Sequence, residues 1–210
     1  MSNGPLRADF HRELESIDEK VNRLFAMVTE NLAAATDSLL AGDREQARQI
    51  AGADDVIDAL ESELETIVER TLLFQAPVAS EFHHLITVLR IVPELERSGD
   101  LAEHIAKRAA KGLGSELPPS VRGIVEQLGQ KVVAIWRSSA DAFADRDRDA
   151  ADRLDLLDDE IDDLHDDLWR ILADSDVPTE VAMQMALVAR FYERLGDHAL
   201  HISARLRRPD

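Results

Sequence analysis

Two stretches of this sequence carry the same motif, Glu96–Ile105 (ERSGDLAEHI) and Glu193–Ile202 (ERLGDHALHI). Both have Glu, Arg, Gly, Asp and a later His at identical spacing, and one copy lies in each half of the chain. A second pair of segments, residues 54–60 and 158–164, shares Asp, Ile and Leu at matched positions. Self-similarity of this kind is typical of a duplicated structural unit. The sequence therefore predicts one supersecondary unit that occurs twice.

Turn-forming residues divide each unit into three segments with helical periodicity. The breaks, marked by Gly, Pro and Asp, lie at residues 42–43, 75–77, 111–119, 145–149 and 174–178. Apolar residues in the fifth segment recur every three or four positions, as on a helix that buries one stripe. Aromatic residues make up only 4% of the chain, which disfavours β-sheet. We expect an all-α fold of two tandem three-helix bundles related by internal duplication, residues 1–113 and 114–210. Two copies are too few for a solenoid, which needs about three or more repeats.

The charge balance and the missing cysteine limit the function. The chain has 210 residues, with 24 Lys and Arg against 42 Asp and Glu, a formal net charge of −18. We therefore expect no basic face, no binding to nucleic acid and no attraction to anionic lipid. No apolar run approaches the roughly 18 residues of a membrane span, so a cytoplasmic protein without membrane insertion is expected. The absence of cysteine excludes disulfides, Cys-ligated zinc and iron–sulfur clusters.

Carboxylates recur along one face of two helices in each unit and form the candidate site. On the third helix an acid, a second acid and a histidine follow each other at steps of four, which stacks them along one stripe. On the second helix two Asp residues lie four apart; the stripe continues with Glu61 and Glu65 in the first unit, matched by His165 and Trp169 in the second. The candidate metal ligands are Glu96, Asp100, His104, Asp54 and Asp58 in the first unit and Glu193, Asp197, His201, Asp158 and Asp162 in the second.

A metal ion is one of two interpretations of these stripes. A cation would offset the repulsion between carboxylates one turn apart, and these ligands suit divalent or trivalent iron, manganese, zinc or magnesium. Gly99 and Gly196 indicate close approach of a second helix beside the acids, because Gly inside a helix costs about 1 kcal/mol relative to Ala. Alternatively, the acids form solvated helix faces, and His104 and His201 satisfy backbone carbonyls.

The duplicated motif resembles that of the PhoU family, over essentially the whole chain. The family pattern, an acid and an Asp four residues apart in a stretch like ERIGDHAxNIA, is matched in the first unit by Glu96, Gly99, Asp100 and Ile105. The second unit matches it with Glu193, Gly196, Asp197, His198 and Ile202. Two departures stand out: Leu101 replaces the usual His, and His104 and His201 occupy positions where Asn is common. Imidazole in place of an amide shifts metal preference from magnesium toward transition metals.

The resemblance implies two three-helix bundles that bind metal clusters at their surface, often within a homodimer. It also implies a signalling adaptor without catalysis, which couples the ATPase of the phosphate ABC transporter (PstB) to the sensor histidine kinase PhoR. Such partners would recruit the protein to the inner face of the membrane. A sister family serves low-affinity phosphate transporters, and the sequence does not separate the two. Two further hypotheses stand beside the adaptor, a carboxylate-bridged metal enzyme on a helical scaffold and a metal-free structural adaptor.

Overall fold

The residues that the structure describes are mostly helical. This computed structural model describes residues 4–52 and 54–207, and only the backbone of residues 4–6, 54 and 116. The helices are α1 (Gly4–Ala41), α2 (Arg44–Ile50), α3 (Asp54–Phe74), α4 (Ala79–Ala110), α5 (Pro119–Ala144), α6 (Ala150–Asp174) and α7 (Thr179–Arg205), with a 3-10 turn (Leu113–Glu116) between α4 and α5. No strand occurs within the described ranges, and the all-α prediction is confirmed.

The ends of the helices lie at the predicted breaks, with one exception. Asp43 caps α2 by accepting hydrogen bonds from the N–H groups of Glu45 and Gln46. The second segment of the first unit, predicted as one helix, is in fact two, because α2 ends before Gly52 and α3 begins at Asp54. Gly is a poor residue for a helix interior, and the matching position of the second unit holds Leu156, inside the unbroken α6.

Each unit is a three-helix bundle, and the two bundles share one core. In the first unit α3 packs on α1 and α4; in the second, α6 packs on α5 and α7. The bundles meet through α1 against α5 and α4 against α7, so these four helices are central and α3 and α6 are outer helices. Buried apolar side chains form one continuous cluster that draws on both units. The proposed boundary between residues 113 and 114 lies at the start of the 3-10 turn and stays a prediction.

Aromatic side chains tie the two bundles together. Trp136 of α5 is fully buried and lies 6.0 Å, between ring centroids, from Phe25 of α1. Its indole N–H donates a 3.0 Å hydrogen bond to the Leu195 carbonyl of α7. The buried Tyr192 hydroxyl of α7 hydrogen-bonds the Thr36 hydroxyl of α1 at 2.8 Å. The central helices are therefore held by polar contacts inside an apolar core, and α7 is fixed directly beside its motif.

Candidate metal centre

In the first unit, acids from the outer helix α3 face acids from the central helix α4. The pKa of Glu96 on α4 is raised, mainly by burial and then by the negative charges of Asp100, Glu61 and Asp58. Burial also raises the pKa of Glu61 on α3, followed by the charges of its carboxylate neighbours, which Arg97 partly offsets. Three predicted ligands, Glu96, Asp100 and Asp58, therefore lie near enough for their charges to interact, and these neighbouring acids are called the first cluster. The side chain of Asp54 lies outside the described residues.

The second unit repeats this cluster between α6 and α7. Burial raises the pKa of Asp158 on α6 to about 7, with further contributions from Asp162, Asp197 and Glu193. The pKa of Asp162 is raised by burial and by Asp197, and that of Glu193 by burial and by Asp197. All four predicted carboxylates of this unit therefore act on one another across the two helices. Bringing them together without a cation disfavours their ionised forms.

Two oxygens of the second cluster are buried without a partner. Oδ1 of Asp158 and Oε2 of Glu193 have no hydrogen bond among the described residues, while the other Glu193 oxygen pairs with Arg190. Asp158 is held against α7 at Gly196, where an added Cβ would lie 2.5 Å from its Oδ1. The predicted close approach at Gly196 is confirmed. Buried acceptors without donors cost free energy, which a cation or a proton would recover.

The donor set fits a hard cation. Carboxylate oxygens are the ligands that manganese, iron and magnesium accept, and two of them are buried and unsatisfied. Within residues 4–52 and 54–207, no three His, Asp or Glu side chains are already grouped around one point as metal ligands are. Binding an ion therefore requires these side chains to rotate toward each other. Like charges one turn apart repel, which accounts for the open arrangement.

The two predicted histidines lie at the edge of the clusters. His104 is exposed, its Nδ1 donates to the Asp100 carbonyl at 2.7 Å, and its ring centroid lies 5.6 Å from that of Phe191 on α7. His201 is also exposed. The position of His104 agrees with the second interpretation of the stripes, in which the imidazole satisfies a carbonyl. Metal binding by His104 and His201 stays a prediction.

A different histidine stands beside the second cluster. His165 of α6 occupies the position that Glu61 has in the first unit, and its charge lowers the pKa of both Asp162 and Glu193. Its Nε2 lies 2.9 Å from the indole nitrogen of Trp169, which donates the hydrogen bond. The sequence already places His165 on the acidic stripe of the second helix, but His165 was not among the predicted ligands. The second unit therefore has an imidazole at the position where the first unit has a carboxylate.

His198 of the motif serves the contact between bundles. It is buried between α4 and α7, with Nδ1 3.0 Å from the Ser98 hydroxyl and Nε2 4.0 Å from Glu94. Burial lowers its pKa, so the neutral form is favoured. The matching residue of the first unit is Leu101, which is buried as well. Leu101, which departs from the family pattern, therefore lies at a packing position and not among the acids.

The stability of the metal-free protein should depend on pH. The pKa of Asp158 is about 7 in the folded chain against 3.8 as its ordinary value, so folding favours the protonated form. The ionised Asp158 carboxylate destabilises the folded chain fully above pH 7. This destabilisation is relieved as the pH falls from 7 toward 4, because the carboxylate then takes up a proton. We expect the melting temperature in EDTA to rise by several degrees from pH 8 to pH 5.5. Thermal melts of the wild type and of Asp158→Asn check this; an equally steep rise in the variant would contradict it.

The fold and the two clusters define a duplicated helical protein with one acidic centre per unit, between an outer and a central helix. The family model described as the PhoU domain matches residues 12–109 and 125–206, once in each unit. The chain belongs to the PhoU family. Its described helices include none that is long and apolar enough to cross a membrane.

Named relatives and solved structures agree with this assignment. The phosphate-specific transport system accessory protein PhoU homolog 2 of Mycobacterium tuberculosis is 29% identical over 204 residues, 96% of each chain. The crystal structure of PhoU from Pseudomonas aeruginosa has a TM-score of 0.87 and 26% identity, and covers 94% of this chain and 96% of its own. PhoU of Streptococcus pneumoniae, a phosphate transport system regulatory protein, shares the fold with a TM-score of 0.86, 23% identity and 94% coverage of both chains. The Mycobacterium tuberculosis protein is named an accessory protein and the Streptococcus pneumoniae protein a regulatory one, and PhoU family members are not enzymes.

Proposed function

We propose that this protein regulates phosphate uptake and phosphate-responsive two-component signalling. It acts in the cytoplasm as an adaptor between a PstB-like ATPase of the phosphate ABC transporter and a PhoR-like sensor histidine kinase. When phosphate is plentiful it represses the phosphate regulon, and its partners recruit it to the inner face of the membrane. The observation that carries this proposal is the PhoU domain match in both units, together with full-length relatives named for phosphate transport.

The acidic clusters would hold the metal ions of this adaptor. Glu96, Asp100 and Asp58 would bind iron, manganese, zinc or magnesium in the first unit. In the second unit the ligands would be Asp158, Asp162, Glu193 and Asp197, with His165 beside them. The ion supplies positive charge between an outer and a central helix. Because the charge of a docking face sets encounter rate and specificity, occupied and empty clusters would differ in partner affinity.

An exposed apolar patch supports the proposed role in protein contact. Leu73 and Phe74 at the end of α3 are 76% and 77% exposed, and Val78 and Phe82 at the start of α4 are half-exposed. Neighbouring exposed apolar side chains are typical of protein interaction sites. We propose that this patch, at the turn between α3 and α4, contacts either a protein partner or the second subunit of a homodimer.

Deleting the gene in the source bacterium tests the proposed function. A phosphate-starvation promoter fused to a reporter is measured in high phosphate, with the gene present and deleted. We expect the deletion to switch the promoter on, and a plasmid copy of the gene to switch it off again. A promoter that stays silent after this deletion, and after deletion of any second PhoU gene, would contradict the adaptor role. A change in low-affinity phosphate uptake without a change in the promoter would instead favour the sister function.

A further inference from the structure

A pocket lined by cations opens at the junction of the two units. It has a volume of about 360 Å³ and lies between α2, the end of α4, the 3-10 turn and the first turns of α7. Its walls include Arg44, Arg108 and Lys111, against one carboxylate among the side chains that the structure describes, that of Glu180. The charge balance predicts no basic face, and net charge does not show this local group of cations. A chain of net charge −18 here groups three cations around one cavity.

These cations are not neutralised by neighbouring acids. Among the described residues, no ion pair joins any of the three to a carboxylate, whereas Arg48 pairs with Glu45 and Lys107 with Glu103 close by. The negative C-terminal end of the α4 dipole partly balances the positive charges of Arg108 and Lys111. Arg44 lies at the N-terminal end of α2, where the helix dipole does not balance its charge. Over the side chains that the structure describes, the pocket therefore has an excess of positive charge.

One of the three cations is held in position by its contacts, and a second lies against a glycine. The Arg108 guanidinium lies 4.7 Å above the Phe191 ring and donates to the His104 carbonyl at 2.9 Å, and its buried Nε has no hydrogen-bond partner among the described residues. The Arg44 guanidinium lies against Gly112, where an added Cβ would be 2.2 Å from its Nη2. Gly112 has a φ of +91° and lacks a side chain, which leaves room for Arg44. A donor held in place, as the Arg108 guanidinium is, loses little entropy when a ligand binds.

We propose that this basic pocket binds a small phosphate-bearing anion. Guanidinium and ammonium groups that line one cavity suit a multiply charged oxyanion, whose oxygens accept charge-assisted hydrogen bonds. The volume falls within the range of small-molecule sites. Because α2 and α4 belong to the first unit and α7 to the second, a bound anion would touch both. Such binding goes beyond the adaptor function and depends neither on it nor on the acidic clusters.

Binding to the purified full-length protein tests the assignment. Inorganic phosphate, pyrophosphate and ATP are titrated separately by calorimetry in EDTA at low ionic strength, with citrate as a multiply charged carboxylate. We expect saturable one-to-one binding of at least one phosphate compound, and the tightest one identifies the source of the phosphate group. No saturable binding up to millimolar concentrations, or citrate binding as tight as that of the best phosphate compound, would overturn the proposal.

Matched substitutions separate the pocket from the general charge of the protein. Arg44→Gln and Lys111→Gln should each weaken binding about tenfold, since each removes a charged hydrogen-bond donor. Arg48→Gln and Lys107→Gln, which remove the same charge outside the pocket, should leave the affinity within about twofold. Glu180→Gln should tighten binding severalfold because it removes a carboxylate that opposes the anion. Equal losses in the pocket variants and the controls would overturn the proposal, even if the reporter experiment succeeds.

Discussion

Saturating manganese(II) is expected to raise the melting temperature of the metal-free protein by about 5–10 °C for each occupied cluster. An ion present at a hundred times its dissociation constant stabilises the folded state by about 2.7 kcal/mol. In a chain of this size each kcal/mol corresponds to about 2–4 °C. The carboxylates of each cluster raise one another's pKa, and Asp158 and Glu193 keep buried unsatisfied oxygens, so the ion relieves an existing cost. Thermal melts across a manganese titration, starting in EDTA, measure the shift.

Single substitutions assign this shift to each cluster. Asp100→Asn should remove the first unit's part of the manganese-dependent rise in melting temperature, and Asp197→Asn the second unit's part. In EDTA, each variant should melt no lower than the wild type.

Gly196→Ala should also remove the second unit's part of this rise, since the new Cβ displaces the Asp158 carboxylate. Its control is Gly123→Ala on α5, where an added Cβ meets nothing within 4 Å. That control should stabilise the protein by about 1 kcal/mol and leave the manganese-dependent rise intact. If manganese raises the melting temperature of the Asp100→Asn, Asp197→Asn double variant as much as that of the wild type, metal binding by these acids is contradicted.

Trp136→Ala is expected to destabilise the protein by about 3–5 kcal/mol. The indole is fully buried between α1 and α7, so truncation leaves a large cavity and removes the indole hydrogen bond to the Leu195 carbonyl beside the second motif. Trp136→Phe keeps an aromatic ring but not the hydrogen bond, and should cost less, about 1–2 kcal/mol including the smaller ring. Urea denaturation followed by circular dichroism measures both.

The same experiment tests how independent the two units are. Because one apolar core crosses both bundles, we expect urea to unfold the wild type in a single transition. Trp136→Ala, which loosens the contact between α5, α1 and α7, should lower the midpoint for both units together. Two well-separated transitions in the wild type would mean that residues 1–113 and 114–210 fold as independent domains.

The fold could be predicted because its signals are local and occur twice. The copies of the motif at Glu96 and Glu193 fixed the number of units, and Gly, Pro and Asp fixed most of the helix ends. The extra break between α2 and α3 was missed because the apolar pattern continues across Gly52. The shared core was not predicted, since nothing in the periodicity of a single helix identifies which other helix it meets. Contacts such as that of Trp136 with Leu195 depend on the packing of whole helices.

The carboxylates of the candidate site were predictable for a geometric reason that fails for the histidines. Residues four apart differ by about 40° around a helix, so Glu96 and Asp100 stay on the face toward α3. Residues eight apart differ by about 80°, and His104 has turned far enough to contact Phe191 of α7. The role of His165 became visible only when α6 and α7 were placed together.

The basic pocket was missed because net charge averages over the chain, while Arg44, Arg108 and Lys111 meet only in the folded state.

The most direct test of the proposed function is whether the acidic clusters are needed for repression. The deletion strain that carries the phosphate-starvation reporter is complemented in high phosphate with the wild-type gene or with the Asp100→Asn, Asp197→Asn double variant. Cellular protein levels are matched, and circular dichroism confirms that the purified variant is folded. We predict that the wild type restores repression and that the double variant leaves the promoter on. Full repression by the double variant would show that the protein regulates without these clusters, as a metal-free helical adaptor.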